Sequence, residues 1–412
     1  MRPKRAEGLR VLDGGVGRTS ASKLQGSIFH RIPTRVAILT LVGILCALGL
    51  VMVLSASAYT SLSDYGSVWS IFSRQLMWMV VGLGGLYVAQ RVSLERLRRF
   101  SVVLLALTDV MLLAVLVPGV GLSAGGSSRW IGMGQFRLQP SELAKLAILL
   151  FGADLLARRA DRVEEPRMVI FPLLAVMATS GLLILKQPDM GTAMVLVCIT
   201  FALLVAGGVP ARPMLKVLAV TVAVGTIVAF ADPYRRARLL SFIHPFKQAS
   251  GSGYQVVQSL VGLGAGHLFG LGLGAGHEKW GLLPNAHTDF IFSVIGEETG
   301  LFGAVLVLAL FLALAWFGLQ AAGRAQNRFE SLLAVGATCW ITAQAVINVG
   351  AVIGVLPVTG IPLPFVSFGG SSLVITMVAV GLLVNVAGHE RKSTGKSSAV
   401  TKSMPNADRV KR

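Results

Sequence analysis

From Val36 to the neighbourhood of Val386, long apolar runs alternate with short polar connections, and the runs are long enough to cross about 30 Å of hydrocarbon as helices. Ten runs begin near Val36, Gln75, Phe100, Glu142, Met168, Gly191, Met214, Asp289, Phe329 and Gly370. The pattern predicts an all-α integral membrane protein with about ten transmembrane helices, built as one bundle over residues 35–390 rather than as two or three soluble domains. The first run is long and starts only after Arg35, so it is expected to stay as an anchor. Residues 1–34 and 391–412 are polar, basic and without apolar period, which predicts disordered tails.

Composition agrees with a membrane protein: 54% of residues are hydrophobic and 14% charged. A net charge of +18 in a soluble protein would suggest nucleic acid. Here its placement gives a better account. With ten spans, 27 of the 37 basic residues fall on one side, in the first 35 residues, the connections at 91–99, 158–167, 212–216 and 324–328, and the tail after His389. The positive-inside rule then puts both termini in the cytoplasm, and no nucleic-acid partner is needed. The basic tails suit membrane lipid or a cytoplasmic partner, although topology alone explains them. Cys46, Cys198 and Cys339 sit in separate apolar runs, so neither a disulfide framework nor a metal site is encoded.

The other, external side carries the unusual sequence. A long loop, residues 232–288, joins spans seven and eight, and a connection of that length is usually functional or disordered. Its aromatic and basic residues, Arg235 among them, and the repeated hexamer GLGAGH at Gly262 and Gly272 argue against disorder. The repeat is not a phosphate-binding loop, since neither a P-loop lysine nor a full G-x-G-x-x-G is present. The glycines are expected to let segments lie against the bundle or bilayer, with Leu263, Leu268, Phe269, Leu271 and Leu273 in lipid. Three further segments are more polar than connections require. GGSSRWIGMGQFRLQPSELAK (125–145) ends in a helix start with Glu142 and Lys145 on one face. KQPDMGT (186–192) packs Lys186, Gln187 and Asp189 into a tight turn. PLPFVSFGGSS (362–372) breaks the backbone before the last span, which is tolerated at membrane depth only where protein buries it or it lines a polar cavity.

LPNAHTDFIFSVIGEE (283–298) sets His287, Thr288 and Asp289 at the mouth of an apolar run, with Glu297 and Glu298 further in. A carboxylate at mid-bilayer costs about 2.5–3.5 kcal/mol on insertion scales, so ionisable residues at that depth are functional candidates. On a helix Glu297 lies roughly 80° round from Asp289 and could share its cavity, while Glu298 points nearly opposite. One of the two is expected to pair with a polar group such as Asn348. His287 reads more plainly as a hydrogen-bonding residue than as a second base. No G-x-S-x-G elbow or H-E-x-x-H zinc motif is present.

The four motifs SRWIGMGQFRLQPSELAK, QPDMGT, LPNAHTDFIFSVIGEE and PLPFVSFGGSS, in this order over ten spans with a long loop before the eighth, resemble the SEDS (shape, elongation, division and sporulation) family. The resemblance covers roughly Val36 to Val386. It implies a peptidoglycan glycosyltransferase in the bacterial cytoplasmic membrane that polymerises lipid II on the outer face and works with a class B penicillin-binding protein. GLGAGHEKWGLLPNAHTDF and VTGIPLPFVSFGG look more like the cell-division branch (FtsW), acting at the septum with other division proteins, than the elongation branch (RodA), where a tyrosine would be expected at Phe368. Asp289 matches the family's catalytic aspartate.

Joining a sugar hydroxyl to an anomeric carbon that carries a polyprenyl diphosphate needs one carboxylate rather than the usual two, because diphosphate leaves without a proton. Asp289 is then the expected general base. Arg129, Lys186, Arg235, Lys279, or a divalent cation (Mg2+ or Mn2+) held by spare carboxylates, would neutralise the leaving group, with no organic cofactor. Substrate contacts are expected from Glu142, Lys145, Gln187, Asp189, His287, Thr288 and Glu297, and from Ser367, Gly369, Gly370 and Ser371 in the broken segment. Burial would raise the Asp289 pKa and nearby cations would lower it. The rival readings are a lipid-linked precursor flippase, with Asp109 and Asp154 lining a polar path, an elongation-type polymerase, or a division scaffold. Against the flippase, the unusual motifs concentrate on one face, whereas alternating access needs polar gates on both.

Overall fold

The computed structural model describes residues 33–389 apart from 125–126, 135, 164, 232–235 and 238–241. Both basic tails and Arg235 lie outside the described residues. Eleven helices are described. Ten coincide with the ten apolar runs: α1 Thr34–Tyr65, α2 Trp69–Ala89, α3 Leu94–Leu116, α4 Pro140–Arg158, α5 Pro166–Lys186, α6 Met190–Ala206, α7 Ala211–Ala231, α9 Ile291–Gly323, α10 Arg328–Val352 and α11 Gly370–Gly388. Helix α8, Tyr254–Ala265, lies in the long loop. Eight helices are long and apolar enough to cross a membrane. The two that fall short are α6, with 17 residues, and α4, which carries Glu142, Lys145, Asp154 and Arg158.

Local chemistry sets the helix ends. Proline occupies the first turn of α4 and α5, where its missing N–H has no partner to lose. Asp189 caps α6 by accepting from the Thr192 amide at 3.1 Å, and Asn327 caps α10 by accepting from Glu330 at 3.0 Å. Of the eight helices long and apolar enough to cross a membrane, α10 and α11 are the most buried. The first packs against α4, α6 and α9, the second against α2. Helix α7 stands outside, with none of its apolar stretch buried. At 32 residues α1 is about 48 Å long, more than the hydrocarbon needs. Its far end carries Tyr59 to within 5.9 Å of Trp280 in the long loop.

Two features depart from the expected pattern. Segment 122–138 is a three-stranded antiparallel sheet, β1 Leu122–Ala124, β2 Ser127–Met133 and β3 Phe136–Leu138, with Leu122 opposite Trp130 and Ile131 opposite Leu138. β1 and β3 have three residues each and β2, SSRWIGM, does not alternate apolar with polar, so periodicity does not reveal the sheet. Helix α9 is also broken: Gly300 has φ +69° and ψ −167° inside it. Residues 267–272 fill the break. The Leu271 and Gly272 amides donate to the Glu297 and Glu298 carbonyls, and the Leu301 and Phe302 amides donate to those of His267 and Leu268. A side chain at Gly266 would collide with the Gly296 carbonyl, so this glycine is what lets the loop approach. Leu268, Phe269, Leu271 and Leu273 are exposed. Leu263 is not among them: it packs against Gly296, because α8 lies on α9.

Candidate functional site

The turn before α9 is built on Asn285, which takes a left-handed conformation (φ +61°) that asparagine tolerates better than most residues. Its carbonyl accepts from Thr288 at 3.0 Å and Phe290 at 3.4 Å, which turns His287, Thr288 and Asp289 into the start of the helix. All three are partly buried. The Asp289 carbonyl accepts from Asn348 Nδ2 at 2.7 Å, and the same amide donates to the Ile361 carbonyl at 2.7 Å. The Asp289 carboxylate reaches beside Gly360, where an added Cβ would sit 3.5 Å from Oδ2. Phe368 donates its amide to the His287 carbonyl at 2.9 Å, with the two rings 5.8 Å apart. Burial pushes the His287 imidazole down to about 4, against the opposing pull of Asp64 on α1. The ring is therefore neutral at pH 7.

The broken segment 359–369 is suspended from side-chain amides. Gln344, one turn before Asn348 on α10, donates to the Pro362 carbonyl at 3.0 Å. Gln75 on α2 donates to the Ser367 carbonyl at 3.2 Å, and the Ser367 hydroxyl accepts from the Leu363 amide at 2.8 Å. Backbone freed from helical pairing thus finds partners inside the protein. Gln344 also accepts from Lys145 Nζ at 2.8 Å and from the Trp340 indole at 3.0 Å. Lys145 is fully buried in an ion pair with Glu142 at 2.8 Å. The i,i+3 spacing on α4 anticipated that pair.

A second polar group adjoins the first. Asp189 Oδ2 accepts from Gln139 and Ser141, both at 2.9 Å. Ser371 accepts from the Gln139 amide at 3.3 Å, which joins α4 to the start of α11 beside Gly369 and Gly370. From β2, Arg129 donates to the carbonyls of Gln187 at 2.9 Å and Pro188 at 2.5 Å, and Gln187 is buried with its amide on the Leu112 carbonyl at 3.0 Å. Lys186, next to this turn, is exposed. Gly191 packs under Thr359 and Ile361, so the turn, the α4 start and the broken segment form one layer next to Asp289.

Glu297, Glu298 and Lys279 belong elsewhere. Glu298 accepts from Lys279 Nζ at 2.7 Å and from Ser55 of α1 at 2.6 Å, with lysine and glutamate both buried. Glu297 accepts from the His277 amide at 2.6 Å and the Glu278 amide at 3.3 Å. Glu298 thus pairs with a polar group of another span, as expected, but the group is Ser55 rather than Asn348; the remaining partners come from the long loop. Glu278 is buried beside Glu297, and that burial, with the neighbouring negative charge, pushes its carboxyl up to about 7. Among the described residues no three His, Cys, Asp or Glu side chains converge as metal ligands. Sequence reasoning missed Gln75, Gln139 and Gln344 altogether. The signal was there in α10, where Gln344 and Asn348 stand four apart on one face of an apolar helix.

Comparison with known proteins extends over the same residues. The signature of the FtsW/RodA/SpoVE family, described as a cell cycle protein, matches residues 35–392. A Mycobacterium bovis protein named "Probable peptidoglycan glycosyltransferase FtsW" is 44% identical over 88% of this chain and 68% of its own length. Stage V sporulation protein E of Bacillus subtilis is 38% identical over 84% of this chain and 95% of its own. Among solved structures, a chain from a peptidoglycan synthase complex that coordinates polymerization and crosslinking superposes with a TM-score of 0.70 at 30% identity, covering 85% of this chain and 96% of that one. Rod shape determining protein RodA of Thermus thermophilus gives 0.63 at 28% identity over 86% and 96%. On the signature that spans residues 35–392 and on these relatives, the chain, with its many apolar helices, belongs to the FtsW/RodA/SpoVE family of multi-pass bacterial inner-membrane proteins.

Proposed function

We propose that this protein is a peptidoglycan glycosyltransferase that polymerises lipid II on the outer face of the cytoplasmic membrane, with Asp289 as general base. The observation that carries the reading is the placement of Asp289. Unlike Glu142, Glu297 and Glu298, it is only partly buried, and it stands in the turn just before α9, beside a broken segment held by Asn348 and Gln344. Asp289 takes the proton of the attacking hydroxyl, and the diphosphate departs as an anion that needs cations and no acid. Exposed Lys186 suits that task. Lys279 is committed to Glu298, and Arg129 to two carbonyls. Glu142 and Asp189 have partners of their own, so a divalent ion fits better as a companion of the substrate diphosphate than as a metal caged by protein oxygens.

The FtsW-named relatives and Phe368 support the division branch, acting at the septum beside a class B penicillin-binding protein and other division proteins, with both termini cytoplasmic. Purified Asp289→Asn, still monodisperse and with an unchanged melting temperature, is expected to lose at least about 100-fold in polymer formed from lipid II. A folded variant that polymerises at the wild-type rate would remove Asp289 from the chemistry.

A further inference from the structure

Helices α2 and α11 run side by side away from the Asp289 layer. Gln75 and Gly370 lie at the near ends, and Asn385 at the far end donates to the carbonyls of Ala89 at 3.1 Å and Val92 at 2.8 Å. Asn385 is buried, so the turn joining α2 to α3 is held in one shape. Against this turn lies a cavity of about 400 Å³ lined by Tyr87, Val88, Arg91, Val92, Ser93 and Arg96.

The lining has two arginines and no acid. Glu95, the nearest carboxylate in sequence, faces Arg98 and Arg99 at 3.8 and 3.6 Å instead. Arg91 is exposed and lies over the Tyr87 ring at 4.2 Å, which holds its charge on this side of the turn. Arg96 is exposed and, among the described residues, has no carboxylate partner. Arg35 of α1, bonded to Gln90 at 3.1 Å, brings a third positive charge to the same turn, outside the lining. On the other wall Tyr87 and Val88 are 51% and 59% exposed on a spanning helix, the surface that acyl chains cover in a bilayer. Charge and apolar wall together call for a ligand with an anionic head and a hydrocarbon tail.

We propose that this cavity binds the phosphate headgroup of an anionic phospholipid, with its acyl chains along Tyr87 and Val88. Guanidinium groups bind phosphate through paired N–H donors, and basic pockets at the ends of spanning helices hold anionic headgroups. Free phosphate would satisfy the arginines and leave the apolar wall unused. The site lies at the opposite end of the molecule from Asp289 and does not rest on the proposed reaction.

Full-length protein in a neutral detergent, titrated with phosphatidylglycerol and read by native mass spectrometry, tests the proposal. Phosphatidylglycerol is expected to bind and phosphatidylcholine not. Arg91→Gln and Arg96→Gln should each weaken binding about fivefold, while the lysine variants at both positions, which keep the charge but not the paired donors, should lose less than that. All four side-chain changes are at exposed positions and should leave the melting temperature unchanged. Undiminished phosphatidylglycerol binding by the double glutamine variant would overturn the site. So would displacement of the lipid by millimolar inorganic phosphate, or loss of binding only when the basic residues of 391–412 are replaced.

Discussion

Asp289 and Glu298 lie less than three helical turns apart at the head of one span, yet their surroundings are opposite. Glu298 is buried against Lys279 and Ser55, its charge balanced and its oxygens bonded. Asp289 is partly open, fixed through its backbone carbonyl by Asn348, with its carboxylate beside Gly360. A carboxylate at membrane depth is therefore not by that fact a catalytic one. The more buried acid is held in an ion pair that ties the loop to α1 and α9, and the more open one is the acid proposed above for chemistry.

The sharpest way to break this contrast is to neutralise each acid in turn. Asp289→Asn should abolish most polymerisation at constant stability, while Glu298→Gln should act on stability first. Removing one partner of the buried pair, as in Lys279→Met, should cost about 3–5 kcal/mol, and the double variant Lys279→Met/Glu298→Leu should recover most of it. Thermal unfolding in detergent checks both. A Lys279→Met protein as stable as wild type would make the pair incidental.

A smaller effect is expected at Gly360, whose φ of +74° an alanine adopts only with strain. Gly360→Ala should lose about 1–3 kcal/mol and slow polymerisation by moving the wall beside Asp289. Gly43→Ala on α1, where an added Cβ meets nothing, is the matched control.

The smallest effect is a pH dependence. The Glu278 carboxyl, raised from 4.5 to about 7, holds its proton more tightly in the folded protein. The stability it contributes is fully present below pH 4.5 and is lost as pH rises through about 7. Glu278→Gln, which is neutral at every pH, should therefore melt close to the wild type at pH 5 and above it at pH 8, a comparison in which the other titrating groups cancel. His287 works in the other direction: lowered from 6.5 to about 4, it stabilises above pH 6.5, and that contribution disappears as pH falls toward 4.

Much of the site was legible before the structure, for reasons that differ by residue. Asp289 stood out because an acid in an apolar run is costly wherever the chain folds. The Glu142–Lys145 pair followed from helical spacing. Lys279 was expected to face a diphosphate and instead faces Glu298, since nothing in sequence reports that residues 267–272 enter the α9 break. The roles of Gln344 and Asn348 were obscured by their neutrality, because an amide in an apolar run costs less than a charge and signals less.

The order of amino acids alone determined where the helices lie, that they belong in a membrane, and which aspartate merits attention, because hydropathy and helical spacing act over a few neighbouring residues. Which acids are neutralised, which backbone is broken and what suspends it were decided only by tertiary structure. Those contacts join residues far apart in the chain, such as Ser55 with Glu298 and Gln75 with Ser367, and only packing brings them within hydrogen-bond reach.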